Sequence, residues 1–250
     1  FKVNDAEGLG INFNHLPQNQ GTLWVASASE ILGGFDAACR PKHGAFAVRP
    51  LKGNSLVLWW QGASPPSVEA QAVVVPSWKK LEGFGDAGDC LPDAACPEAL
   101  GWEDPRRSVV LLLTNNNTRF CTGTLVNNTQ ENGRPLLLTG KHCNAQANSI
   151  VWFGYESPFC EGGDGPNQKS LQGLIPLAER AQSDMELFEL AQQPLPQWQV
   201  YFAGWSRDSL APAETHCLQH PRGDVMKYAR DNQAPGRSVY VGPDLGTGPY

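Results

Sequence analysis

The stretch Cys121-Thr-Gly-Thr-Leu-Val-Asn-Asn-Thr129, followed by Leu136-Leu-Leu-Thr-Gly-Lys-His142-Cys143, decides how the rest of the chain is read. The apolar run ending at Thr139 reads as a strand. The chain then turns through Gly140 and Lys141 and presents His142, with Cys143 directly behind it. A general base has to be held within hydrogen-bond reach of its nucleophile. A disulfide from Cys143 back to Cys121 on the preceding strand would clamp that turn. The plainer alternative is a structural histidine that happens to neighbour a cysteine. The flanking strand and the second cysteine favour the chemical reading.

Outward from this stretch, short apolar runs alternate with Gly, Pro and Asn clusters, the pattern of an all-β protein. Strands are expected at residues 22–26, 45–49, 55–60 and 70–75, then at 108–113, 120–126, 135–139, 149–155, 186–190, 199–205 and 215–220. No internal repeat and few long helical patterns interrupt them. Between the two series lies a stretch rich in Gly, Asp and Pro, residues 83–97, holding Cys90 and Cys96. Only Cys39 precedes it; the other six of the seven cysteines lie within or after it. This predicts two units, a β-rich one at 1–85 and a cross-linked one at 86–250. The boundary, residues 83–89, should then be exposed and cleavable. The alternative is one continuous β domain with a long loop.

The 250 residues suffice for a sizeable core. A net charge of -6 gives no support for a nucleic-acid partner, which usually needs a basic face. No stretch approaches the ~18 apolar residues of a membrane span, so no membrane association is expected. The chain begins at Phe1 with no Met and no charged-then-apolar leader, as expected if a signal peptide was removed or never included. Seven cysteines beside few Met and Lys point to an oxidising compartment. Their odd number leaves one thiol free or a partner elsewhere. Asn116-Asn117-Thr118 and Asn127-Asn128-Thr129 fit the glycosylation pattern, which a bacterial source would make irrelevant.

The His142 stretch resembles the active-site region of chymotrypsin-fold serine proteases, in which the catalytic His directly precedes a Cys and follows Leu-Thr-Ala. It is most similar to the secreted bacterial lysyl endopeptidases. These share the run seen at Cys121 to Thr129, an early Cys-x5-Cys-Pro as at Cys90 to Pro97, and Ala203-Gly-Trp205. The similarity extends from about residue 88 to the end. Gly140 and Lys141 depart from the family's usual pair before the catalytic His; Lys141 is expected to point to solvent. The resemblance implies an all-β, chymotrypsin-like double β-barrel, its second barrel incomplete, preceded by a small β-rich pro-domain. It implies a secreted, monomeric endopeptidase precursor acting on protein or peptide substrates, with no cofactor and no metal. It pairs Cys121 with Cys143 and Cys96 with Cys160, and leaves Cys90 without a partner. Cys39 and Cys217 have no counterpart and are expected as free thiols.

In such enzymes a buried Asp orients the imidazole and stabilises the imidazolium. Asp184, at the head of Asp184-Met-Glu-Leu-Phe-Glu-Leu190, matches the family position of that Asp. Glu186 and Glu189 are the competing carboxylates, and Glu186 is expected to face solvent. The nucleophile should be a Ser in a Gly-x-Ser-Gly setting, where backbone amides form an oxyanion hole. Ser206, Ser209 and Ser238 lack the surrounding glycines, and Gly246-Thr-Gly248 has no Ser. The expectation is a chain whose catalytic Ser and specificity pocket belong to missing C-terminal sequence, and which is inactive by itself. Residues 1–85 resemble the family's pro-region through Phe35-Asp36-Ala37-Ala38, His43-Gly44 and Trp59-Trp60, with Lys79-Lys80 as a processing site or simply a solvated basic pair. No Ile-Val-Gly start follows the boundary, which argues against activation by a freed Ile terminus.

Two other functions stay open on the sequence. One is a secreted pseudoprotease or binding module that naturally lacks the serine. The other is a metal-binding β protein using His216, Cys217 and His220, although no clear fourth ligand completes a tetrahedral set.

Overall fold

A computed structural model describes residues 1–15, 20–36, 46–75, 83–88, 90–208 and 210–235. Its regular structure is almost entirely β. The first six strands are β1 (Gly8–His15), β2 (Gly21–Ala26), β3 (Ile31–Phe35), β4 (Phe46–Lys52), β5 (Val57–Gly62) and β6 (Glu69–Val74). They form two three-stranded sheets, β4-β1-β6 and β3-β2-β5, each antiparallel. Leu9, Ile11 and Phe13 of β1 meet Leu23 and Val25 of β2, together with Phe35, Phe46, Val48 and Leu51, in one apolar core.

The second series builds a seven-stranded antiparallel sheet that curls into a half-barrel. Its strands are β7 (Val109–Leu113), β8 (Arg119–Val126), β9 (Leu136–Thr139), β10 (Ile150–Phe153), β11 (Ser170–Gln172), β12 (Leu174–Arg180) and β13 (Met185–Leu190). They run in the order β11-β10-β7-β8-β9-β13-β12. Val110, Leu112, Leu125, Leu137, Val151, Phe153 and Phe188 fill the concave side. Leu111, Leu113, Ile150 and Trp152 pack on the other side against Tyr155 and Val225. This is why β7 is buried along its whole length and reads as a continuous apolar run. The hairpin β14 (Thr215–Gln219) and β15 (Lys227–Asp231) follows. The fold is all-β and chymotrypsin-like. No helix among the described residues is long and apolar enough to cross a membrane.

Two sequence expectations change. Residues 199–205 do not form a strand. β7 begins opposite Thr124, so only the last residues of β8 offer a free edge there. Ala203 alone uses it, in a single parallel bridge with Val126. Its amide donates to the Leu125 carbonyl at 2.9 Å, and its carbonyl accepts the Asn127 amide at 2.9 Å.

The stretch 83–88 is exposed at Phe84, Gly85 and Gly88 but tied down at Gly83, Gly85 and Ala87. The Asp224 carboxylate, almost wholly buried, accepts the Gly85 amide at 2.9 Å and the Ala87 amide at 3.1 Å. Gly83 is buried beside the Arg119 guanidinium, so close that a Cβ there would stand 2.2 Å from Nη1. Arg119 in turn donates to Tyr155 Oη at 2.7 Å and to the Gly223 carbonyl at 3.0 Å. Asp89, Lys79 and Lys80 lie outside the described residues.

Candidate active site

β9 and β13 pair with Thr139 opposite Glu186, and this register brings the ends of both strands to one rim of the half-barrel. Past Thr139 the chain makes one 3-10 turn, Lys141–Cys143, closed by Asn144 in the left-handed region at φ 50°. Across from it, the tip of the β12–β13 hairpin makes a matching turn, Ala181–Ser183, closed by Asp184 at φ 46°. Asn and Asp tolerate this conformation better than most residues. The Lys141 amide donates to the Asp184 carbonyl at 3.2 Å, extending the β9–β13 ladder by one rung.

Asp184 then grips His142 twice. Its Oδ1 accepts the His142 main-chain amide at 2.8 Å, and its Oδ2 bonds imidazole Nδ1. Those bonds, the amide's first and the ring's second, hold the Asp184 carboxyl below its ordinary range. An ionised carboxylate only accepts, so Nδ1 carries the proton and Nε2 is left as the basic nitrogen. That is the tautomer a general base needs. Gly140 makes room for the ring: a Cβ at this position would lie 2.7 Å from imidazole Cε1 and 2.8 Å from Nδ1. Behind the ring, Cys143 is disulfide-bonded to Cys121 on β8, and Thr139 Oγ1 donates to the Thr122 carbonyl at 2.9 Å. A second disulfide joins Cys96 to Cys160.

Residues 84–245 match the model of a protein family described as lysyl endopeptidase, C-terminal domain. The chain belongs to the lysyl endopeptidase family. Among its relatives is the lysyl endopeptidase of Pseudomonas aeruginosa, 29% identical over 178 residues. That alignment covers 64% of this chain and 38% of the relative, so the chain spans well under half the length of the curated relative it matches.

Within this lysyl endopeptidase domain several expected placements differ. Asp184 is not buried: its side chain is 51% exposed and that of His142 58%, because both sit on turns beyond the strand ends. Glu186 does not face solvent. β13 alternates with Glu186, Phe188 and Leu190 on the inner side, which leaves Glu186 only 7% exposed. Lys141 does not point freely to solvent either. Its Nζ bonds Glu179 Oε2 and approaches Glu186 Oε1 at 3.4 Å. Glu189 pairs instead with Arg134, at 2.6 Å.

Cys90 and Cys217 are exposed free thiols, and Cys39 lies outside the described residues. The metal reading of His216, Cys217 and His220 finds no support. His216 Nδ1 shares a hydrogen bond with Tyr228 Oη at 2.6 Å, and His220 Nδ1 one with the Asp224 carbonyl at 3.0 Å. Among the described residues only Cys121, His142 and Cys143 bring three such atoms together, and the two sulfurs are spent on a disulfide. A disulfide has no thiolate to offer a metal. Ser206 is exposed, its Oγ accepting the Asp208 amide at 3.1 Å, while Ser209 and Ser238 lie outside the described residues. Sequence reasoning missed Asp224 and Arg119, which fix the stretch ahead of Cys90. Pro221-Arg-Gly-Asp224 signals only a turn in sequence, and nothing there marks its carboxylate as buried.

Proposed function

We propose that this chain is the histidine–aspartate half of a secreted serine endopeptidase that cleaves peptide bonds after Lys or Arg. The observation that carries the proposal is the pair of hydrogen bonds that Asp184 accepts from His142, one from its main-chain amide and one from Nδ1. In this reading Nε2 of His142 takes the proton from a serine hydroxyl as that oxygen attacks the scissile carbonyl. His142 then returns the proton to the leaving amine. Asp184 keeps the ring in the productive tautomer and stabilises the imidazolium between the two steps. The serine lies in sequence outside these 250 residues, and so do the oxyanion-hole loop and the specificity pocket. Preference for lysine follows the name of the Pseudomonas relative. Residues 1–85 serve as a pro-region for a β topology rich in non-local pairings, which folds slowly unaided. The enzyme works as a monomer, needs no cofactor and acts outside the cell, where its two disulfides persist.

The test is to assay this chain beside a gene-extended version on lysyl and arginyl esters. The extended protein should turn over substrate and lose that activity with His142→Ala, while the short chain should be inert. A stop codon directly after Tyr250 would favour the pseudoprotease. Turnover by the short chain with labelling by a serine-directed phosphonate would place the nucleophile within it and refute the assignment.

A further inference from the structure

We infer that Lys141 is a positioning residue for the His142–Asp184 pair: its ammonium neutralises Glu179 and Glu186 and so pins the hairpin that carries Asp184 to the turn that carries His142. The inference rests on reading that pair as the acid–base machinery. Glu179 and Glu186 stand directly opposite each other in the β12–β13 ladder. Like charges so placed repel. Glu186 is also nearly buried, and its Oε2 has no hydrogen-bond partner among the described residues, so its charge is poorly solvated. Among the described residues Lys141 is the only cation in an ion pair with either carboxylate.

The geometry links this charge cluster to the pair. Lys141 is joined to the hairpin tip through its main chain, by the bond from its amide to the Asp184 carbonyl at 3.2 Å. Its side chain runs back to Glu179 on β12 and Glu186 on β13, two rungs behind the tip. The tip itself, residues 181–184, is exposed. Lateral placement of Asp184 therefore depends on the strands behind it. Without the ammonium, an unpaired buried carboxylate faces a second carboxylate across the hairpin. Parting of the two strands at this rung would relieve that contact and draw Asp184 away from the ring. Because Lys141 and His142 are adjacent, both sides of the dyad are set by one turn.

The test uses the 250-residue chain with 15N-labelled histidine, read by the ring nitrogen shifts of His142 at a pH where the ring is neutral. A free neutral imidazole favours the Nε2–H form; a ring donating to Asp184 holds the Nδ1–H form. The wild-type chain should be mostly Nδ1–H, and Asp184→Ala should reverse this. Lys141→Met should lower the ratio of Nδ1–H to Nε2–H several-fold, and Lys141→Arg should retain it. Lys141→Met combined with Glu186→Gln removes the ammonium and one of the two opposed charges together, and should recover the wild-type ratio. If Lys141→Met unfolds the chain, the double variant decides: recovery supports the inference and failure overturns it. If Lys141→Met keeps the wild-type tautomer while Asp184→Ala loses it, the positioning role falls and the dyad stands. A ring indifferent to Asp184→Ala sinks the dyad itself.

Discussion

Asp184 accepts two hydrogen bonds from His142, one from its main-chain amide and one from its ring. The first fixes where the residue sits and the second fixes how its ring is turned. Either bond alone would leave one of those freedoms open. In an extended chain that carries the nucleophile, Asp184→Asn should keep an acceptor for the amide but disturb the tautomer. A loss of about ten-thousand-fold in kcat is expected, with KM little changed. Steady-state kinetics on a lysyl ester check this; a loss below tenfold would remove Asp184 from the mechanism.

Gly140 is the next point of sensitivity. A methyl group there would come within 2.7 Å of the imidazole. Gly140→Ala should swing the ring off Asp184 and lower kcat/KM by at least about tenfold. Overpacking of this kind costs about 1–3 kcal/mol where neighbours cannot yield, but His142 is exposed and can move, so Tm should change little. Activity loss with an unchanged melting curve is the expected signature.

His220 should make the fold acid-sensitive. Its imidazole is fully buried, and burial, aided by the nearby Arg119 charge, pulls its pKa down to about 4 from 6.5. Nδ1 is spent on the Asp224 carbonyl, and Nε2 has no hydrogen-bond partner among the described residues. A histidine with a depressed folded pKa binds fewer protons folded than unfolded between those two values. Its contribution is complete above pH 6.5 and is lost as pH falls towards 4, by about 3 kcal/mol in all. Urea unfolding across that range should show the slope, and His220→Gln should flatten it. The depressed Asp184 carboxyl acts only below this window.

Asp224 should be the anchor of the stretch before Cys90. Besides the Gly85 and Ala87 amides it accepts the Val225 amide at 2.7 Å, and Lys227 Nζ lies 3.6 Å away. Asp224→Ala leaves three amides without their acceptor and should cost about 3 kcal/mol or more. Limited proteolysis should then cut within residues 83–88 first. An unchanged cleavage pattern would mean that the stretch is held by other contacts.

How much of this was legible in the sequence depended on how local each signal was. His142 and Asp184 each carry their own neighbourhood: a strand end, a short turn, a cysteine, an alternating run. Glu186, at the start of the polar/apolar alternation, is expected on the solvent side; the same period of two in fact puts it on the buried side with Phe188 and Leu190. β12 escaped notice because Pro176 and the charged Glu179 and Arg180 interrupt its apolar pattern. β3 did so because Gly33 and Gly34 occupy its centre. The burial of Asp224 could not be read at all. It follows from a contact with Gly85 and Ala87 about 140 residues earlier in the chain, and no local pattern encodes such a partner.

The seating of Gly83 against Arg119, and of Gly85 and Ala87 on Asp224, bears on what a cut upstream would do. Were the chain cut somewhere ahead of Gly83, residues 83–87 would already be seated on Arg119 and Asp224. A new ammonium would then find no vacant carboxylate at Asp224, whose oxygens already accept the Gly85, Ala87 and Val225 amides.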